Sequence, residues 1–104
     1  MKLYLLRHGD AQLIGPAGDK SRKLNKMGIE QAAIAAKYIK DLHPNVILCS
    51  TYVRARETRD IVMKYTNWNS LREFESLDVR PGASVDDFLI EVKSYEEESI
   101  LVIG

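Results

Sequence analysis

The chain has 104 residues, of which 45% are hydrophobic and 29% charged, so it is one small globular domain rather than a disordered segment. Fifteen basic and fifteen acidic side chains give a formal net charge of zero, which argues against bulk attraction to nucleic acid or to a membrane. The single cysteine, Cys49, excludes an intrachain disulfide and suits the reducing cytoplasm, and no apolar run has the length of a signal peptide or a membrane span.

The first predicted element is an unbroken apolar run, residues 3–6, which is typical of a strand buried on both faces. Gly9 permits a tight turn, so Arg7 and His8 should lie at the carboxyl end of that strand, where open α/β sheets place ligand crevices. Arginine offers a fork of donors to phosphate, and a neutral imidazole can attack phosphorus. The alternative is an Arg-His pair that only caps the strand and faces water.

Arg-His-Gly at the end of a first strand resembles the histidine phosphatase superfamily, the phosphoglycerate mutase-like enzymes. The longer stretch Leu-Arg-His-Gly-Asp-Ala, residues 6–11, is similar to its SixA-type phosphohistidine phosphatase branch. Residues 11–24 then read as a loop whose second half is basic. The resemblance places Arg22 near the active site, with an ordinary solvated loop as the alternative.

Asn25 is a good N-cap, and small apolar residues then repeat at helical spacing, which predicts a helix over residues 26–42 with an alanine face packed closely on a sheet. The helix should end near His43-Pro44, because proline disfavours helical geometry in the preceding residue. We interpret His43, the second of two histidines, as structural or solvent-exposed.

Residues 46–49 predict a second buried strand, and the order strand, helix, strand predicts a parallel sheet. The next nine residues, 50–58, are the second point of resemblance: the family carries Ser-Pro-x-x-Arg-Ala-x-x-Thr here, and only the proline is replaced, by Thr51. Arg54 falls in the first turn of a helix expected to reach residue 64 or 65. That position suits phosphate binding.

The neighbouring arginines of this helix are expected to form ion pairs on a solvated face. The arginines are Arg56 and Arg59, and their expected acidic partners are Glu57 and Asp60.

The next predicted elements are a strand over 71–77 and a loop over 78–84. A helix follows from 85 to about 95, with Ser84 and Asp87 as a capping pair. The chain then has a solvated acidic run over 96–98 and a buried strand over 99–104. Together they predict a three-layer α/β/α fold with a mainly parallel sheet of about four strands and three helices. The resemblance makes residues 1–104 a single, C-terminally incomplete histidine phosphatase-like domain.

In the family the last strand ends in Gly-His, and that second histidine faces the nucleophile across the phosphate. This chain ends at Gly104, one residue before that position. A truncated chain, a natural end and a second polypeptide that supplies the remainder are three open explanations. An incomplete sheet should expose residues 100–103, so we expect self-association, most simply as a homodimer.

The resemblance implies a phosphatase without metal or cofactor, in which His8 is transiently phosphorylated and water then hydrolyses the phosphohistidine. The phosphate oxygens would be held by Arg7, Arg54 and Arg22. Asp78 is the family-aligned proton donor for the leaving group, and Glu75 and Asp10 are alternatives.

The implied substrate is a phosphohistidine-bearing protein, because short connections leave little material for a lid over a small molecule. A small phosphomonoester is the alternative substrate. A non-catalytic phosphate-binding fragment and a half-enzyme completed by a partner are the alternative functions.

Overall fold

The computed structural model describes residues 1–95 and 98–104, so Glu96 and Glu97 of the expected acidic run lie outside the described residues. The strands are β1 (Lys2–Leu6), β2 (Val46–Ser50), β3 (Arg72–Ser76) and β4 (Ser99–Ile103). The helices are α1 (Lys26–Ile39), α2 (Val53–Thr66) and α3 (Val85–Lys93), with short 3-10 turns at Asp19–Ser21 and Leu77–Val79. The strands form a parallel sheet in the order β1-β4-β2-β3, which confirms the predicted α/β fold.

The two central strands, β2 and β4, carry the core, because alternate side chains of each face opposite helical layers. One cluster joins Val46, Leu48, Ile100 and Val102 to Val92 of α3. The other lies beneath α1 and α2 and comprises Ala36, Ile47, Cys49, Ala55, Val62, Trp68, Leu101 and Ile103. The two central strands are therefore covered on both faces, as a three-layer fold requires.

The strand order corrects two expectations. An incomplete sheet was expected to expose residues 100–103, but this last strand lies between β1 and β2 and these residues are at most 4% exposed, as the prediction of a buried strand requires. The first strand was expected to be buried on both faces, but it is an edge strand, with Leu3 40% and Leu5 72% exposed. Tyr4 and Leu6 pack beneath α1 and α2, whereas the cluster under α3 reaches only β2 and β4. Self-association stays a prediction.

Helix α1 begins as predicted, with the side chain of Asn25 accepting a hydrogen bond from the backbone N–H of Gly28 at 2.8 Å. Its buried face is Gly28, Ala32 and Ala36, and this stripe of small residues packs against α2 rather than mainly on the sheet. The helical spacing also predicts Ile29 on the buried face, but it is 50% exposed, because it follows Gly28 by one residue and so lies about a quarter turn around the helix from the stripe. The helix ends at Ile39, three residues earlier than predicted.

The single thiol, Cys49, is fully buried in β2, and burial raises its pKa to about 12. The thiol is therefore protonated at neutral pH, which is the unreactive form. Among the residues that the structure describes, no helix combines the length and the apolar character needed to cross a bilayer. The cytoplasmic location stays a prediction.

Candidate active site

The Arg-His-Gly turn lies where β1 ends, beside the end of β4. The backbone N–H of His8 donates to the carbonyl of Gly104 at 2.8 Å, and the N–H of Gly104 donates to the carbonyl of Leu6 at 3.1 Å. These two bonds continue the β1–β4 ladder past the last paired residues. His8 is thus fixed at the carboxyl edge of the sheet, as the sequence predicts.

Two glycines allow this turn to dock closely on α1. A Cβ at Gly9 would overlap the backbone of Gly28, and a Cβ at Gly28 would overlap the backbone of Asp10. The turn is also held by Thr58 of α2, whose hydroxyl accepts from the N–H of Gly9 at 3.1 Å and donates to the carbonyl of Arg54 at 2.8 Å. The threonine of the second motif therefore joins the two halves of the site.

The hydrogen bonds of His8 define its tautomer. Nδ1 lies 2.6 Å from the carbonyl oxygen of Gly9, which can only accept, so Nδ1 carries the proton. Nε2 accepts from Nε of Arg54 at 3.1 Å, so it is unprotonated. Burial lowers the pKa of His8, and the charges of Arg54 and Arg7 lower it further, against the opposite effect of the Gly9 carbonyl. The imidazole is therefore held neutral with Nε2 toward the arginine.

Arg54 lies in the first turn of α2 and is only 6% exposed. Its guanidinium lies 5.0 Å from the ring centroid of Tyr52, and it donates to the carbonyl of Asp19 at 3.0 Å and to the two carboxylate oxygens of Asp19 at 3.2 and 3.4 Å. The side chain therefore spans from His8 to the loop after β1. Its buried positive charge is balanced by a carboxylate.

The same carboxylate also holds Arg22. Nη1 of Arg22 donates to Asp19 at 2.9 Å, and Nε donates to the carbonyl of Gln12 at 2.5 Å. Hydrogen bonds from Arg22 and then from Arg54 lower the pKa of Asp19. An anion thus occupies donors of two of the predicted phosphate-binding arginines. Sequence reasoning missed Asp19, although its position three residues before Arg22 was an available signal.

Arg7 is exposed and lies directly before His8 where β1 ends. With His8, Gly9, Asp10 and Gln31 it lines a cavity of about 250 Å³. The structure therefore brings His8 and Arg54 into direct contact, links Arg22 to them through Asp19, and places Arg7 along the same cavity as His8.

The three acidic candidates are distributed differently. Asp10 lines the His8 cavity and accepts a hydrogen bond from the amide of Asn25 at 2.5 Å. Glu75 pairs with Arg59 at 3.0 Å. Asp78 lies in the 3-10 turn after β3, with its N–H bonded to Ser76 at 3.0 Å, and it is not among the residues lining the His8 cavity. Its role as a proton donor stays a prediction.

The ion pairs expected on α2 are confirmed in part. Arg59 pairs with Asp60 at 3.1 Å. Arg56 was expected to pair in the same way, but within the described residues it has no acidic partner. Glu57 instead accepts from the N–H of Leu24 at 2.8 Å and holds the loop before α1.

No three His, Cys, Asp or Glu side chains of residues 1–95 and 98–104 gather into a group that could hold a metal ion.

Residues 3–87 match the histidine phosphatase superfamily (branch 1). The mitochondrial serine/threonine-protein phosphatase Pgam5 of Drosophila willistoni is 29% identical over 85 residues. That alignment includes 80% of this chain, and the chain spans only 29% of that relative's length.

Two solved structures are also similar at 28% identity. The protein histidine phosphatase SixA complexed with tungstate matches with a TM-score of 0.86 over all of this chain and 69% of its own. SixA from Agrobacterium tumefaciens matches with a TM-score of 0.84 over 98% of this chain and 67% of its own. From the family match over residues 3–87, which carry both motifs, we conclude that this chain belongs to the histidine phosphatase superfamily.

Proposed function

We propose that the chain is a phosphatase that acts through a phosphohistidine on His8. The observation that supports this most is the direct contact between the unprotonated Nε2 of His8 and the buried guanidinium of Arg54 at 3.1 Å. A neutral imidazole is the nucleophilic form, and the arginine beside it suits the charge of a transferring phosphoryl group.

The reaction has two displacements. Nε2 of His8 forms a bond to phosphorus as the bond to the leaving group breaks, and the leaving group takes up a proton. Water then attacks phosphorus, the Nε2–P bond breaks, and inorganic phosphate leaves with the neutral imidazole restored. Arg54 must transfer its Nε hydrogen bond from His8 to a phosphate oxygen before the attack, because that bond occupies the nucleophilic lone pair.

The arginines hold the phosphate. Arg54 and Arg22 exchange the carboxylate of Asp19 for phosphate oxygens, and Arg7 binds from the cavity side. Asp78 protonates the leaving group by analogy with the family. Asp10 is the second candidate because it lines the cavity beside His8.

The substrate we propose is a phosphohistidine in a protein. The support is the similarity to two SixA structures, one of them described as a protein histidine phosphatase. A phosphorylated serine or threonine in a protein is the second candidate, because a relative at 29% identity is described as a serine/threonine-protein phosphatase.

The experiment compares two histidine variants. The chain is incubated with a ³²P-phosphohistidine protein and with ³²P-phosphoserine and phosphothreonine proteins, and label on the chain is tested for the acid-labile, base-stable behaviour of phosphohistidine. The wild type and His43→Ala, which alters the other, exposed histidine, should become labelled and release phosphate, whereas His8→Ala should do neither.

Equal labelling of the His8→Ala variant would overturn the assignment of the nucleophile. Phosphate binding at His8 without any labelled intermediate or release would overturn the proposed reaction and support the phosphate-binding fragment. Release that appears only after a second polypeptide is added would support the partner-completed enzyme.

A further inference from the structure

A second cavity of about 530 Å³ lies next to Arg54, because two of its lining residues, Tyr52 and Val53, directly precede Arg54 in the chain. We call it the basic groove. It is formed where β2 ends and α2 begins, between the two 3-10 turns, and its lining includes Lys20, Arg56, Arg80, Tyr52, Val53 and Leu77. Tyr52 connects the groove to the active site, because the Arg54 guanidinium lies over its ring at 5.0 Å. A ligand in the groove would therefore lie next to Arg54, one of the arginines proposed to hold the phosphate.

The walls of the groove carry uncompensated positive charge. Lys20, Arg56 and Arg80 come from three different segments, and none forms an ion pair with an acidic side chain in the described part of the chain. By contrast, Arg22 and Arg59 are both paired with carboxylates. Three cations without a carboxylate partner thus line one depression next to the site.

The floor of the groove is apolar. Leu77 is 60% exposed in the 3-10 turn after β3, and Val53 lies partly exposed at the start of α2. Arg80 is anchored across this turn, because its guanidinium donates to the carbonyl of Leu77 at 2.9 Å. An apolar floor with a cationic rim suits a chain segment that combines an apolar side chain with acidic neighbours.

We propose that the basic groove binds an acidic segment of the phosphorylated protein, beside the phosphorylated side chain. This rests on the proposed function for the identity of the partner. Carboxylates of the segment pair with Lys20, Arg56 and Arg80, and an apolar residue between them covers Leu77. The groove thus selects among phosphoproteins by the sequence around the phosphorylated residue, while His8 and Arg54 act on the phosphate common to all of them.

The test measures binding separately from turnover. A fluorescein-labelled, unphosphorylated peptide with Asp and Glu flanking a leucine is titrated with the chain, and a second peptide replaces every acid by its amide. The variant is Arg56→Gln with Arg80→Gln, and the matched control is Arg59→Gln, which alters a paired arginine of the same helix. Thermal unfolding checks that all three chains are folded.

The acidic peptide should bind more tightly than its amide counterpart, and added salt should weaken it. The double variant should lose about three- to tenfold in affinity, as expected for two exposed ion pairs, and the Arg59→Gln control should bind like the wild type. Equal binding of both peptides, an unchanged double variant, or an equal loss in the control would overturn the proposal. Tighter binding of a DNA oligonucleotide than of the acidic peptide would also overturn it.

Turnover is then measured on a phosphoprotein whose phosphorylated residue has acidic neighbours. The double variant should raise KM on this substrate and leave kcat on a small aryl phosphate unchanged. If none of the chains hydrolyses any phosphate substrate but the acidic peptide still binds as predicted, the proposed reaction is wrong and the proposed role of the groove is supported. If phosphate is hydrolysed but the acidic peptide does not bind more tightly than its amide counterpart, the proposed role of the groove is wrong and the proposed reaction is supported.

Discussion

The hydroxyl of Thr58 is the most informative single group to remove. Thr58 is 1% exposed, and its hydroxyl is the acceptor of the buried N–H of Gly9, the glycine that follows the proposed nucleophile, His8. Thr58→Val keeps the shape and the β-branching and removes the hydroxyl with both of its hydrogen bonds, the one accepted from Gly9 and the one donated to the carbonyl of Arg54. Helix propensities of threonine and valine are similar, so α2 itself is little affected. The buried N–H of Gly9 is left without a partner, at a cost of about 1–3 kcal/mol.

The matched control is Thr58→Ser, which keeps the hydroxyl and removes one methyl group, a loss of roughly 0.8 kcal/mol. Urea titration should show the valine variant less stable than the serine variant, with unchanged m values. For a domain of this size each 1 kcal/mol shifts Tm by about 4–8 °C, so a 2 kcal/mol loss is a shift of about 8–16 °C. A valine variant as stable as the serine variant would refute the role assigned to this hydrogen bond.

Two further predictions concern the charges of the site. The NMR titration of His8, identified by its absence in His8→Gln, should have its midpoint below 6.5, because burial and neighbouring arginines lower its pKa. Because the pKa is lower in the folded chain, the unfolded chain binds the proton more strongly. The contribution of neutral His8 to the free energy of unfolding is therefore fully present above pH 6.5 and is lost as the pH falls toward the folded-state pKa. A pH profile of stability that is unchanged in His8→Gln would contradict this. Asp19→Asn should bind inorganic phosphate more tightly than the wild type, because the carboxylate no longer competes for Arg54 and Arg22. Weaker binding in Asp19→Asn, measured by calorimetry, would show that the carboxylate serves mainly to orient the arginines.

The sequence predicted those parts of the fold that depend on local signals. Asn25 and Ser84 begin their helices with side-chain caps, and Arg54 lies in the first turn of α2 at the edge of the sheet that also holds His8. Capping and hydrophobic periodicity depend on neighbours within one or two helical turns, so they can be predicted from a single sequence.

The parts that were wrong or missed depend on distant contacts. Residues 3–6 and 100–103 are similarly apolar, and only the strand order makes one an edge and the other a centre. The partner of Asp19 on α2 is 35 residues away, and that of Gly9 is 49 residues away. The spacing of Asp19 and Arg22 was a local signal for that ion pair, but no local pattern marks the contacts of Asp19 and Gly9 with α2.

The exposed edge strand of the sheet, β1, ends directly before Arg7 and His8. Strand β1 pairs with β4 on one side, and its last residue, Leu6, is followed at once by Arg7 and His8. A strand added along the outer side of β1 would pair with the backbone of Leu3 and Leu5 and end beside His8, the proposed nucleophile. Assembly through that edge would therefore alter access to the imidazole, and the proposed phosphatase activity per molecule would then change with protein concentration.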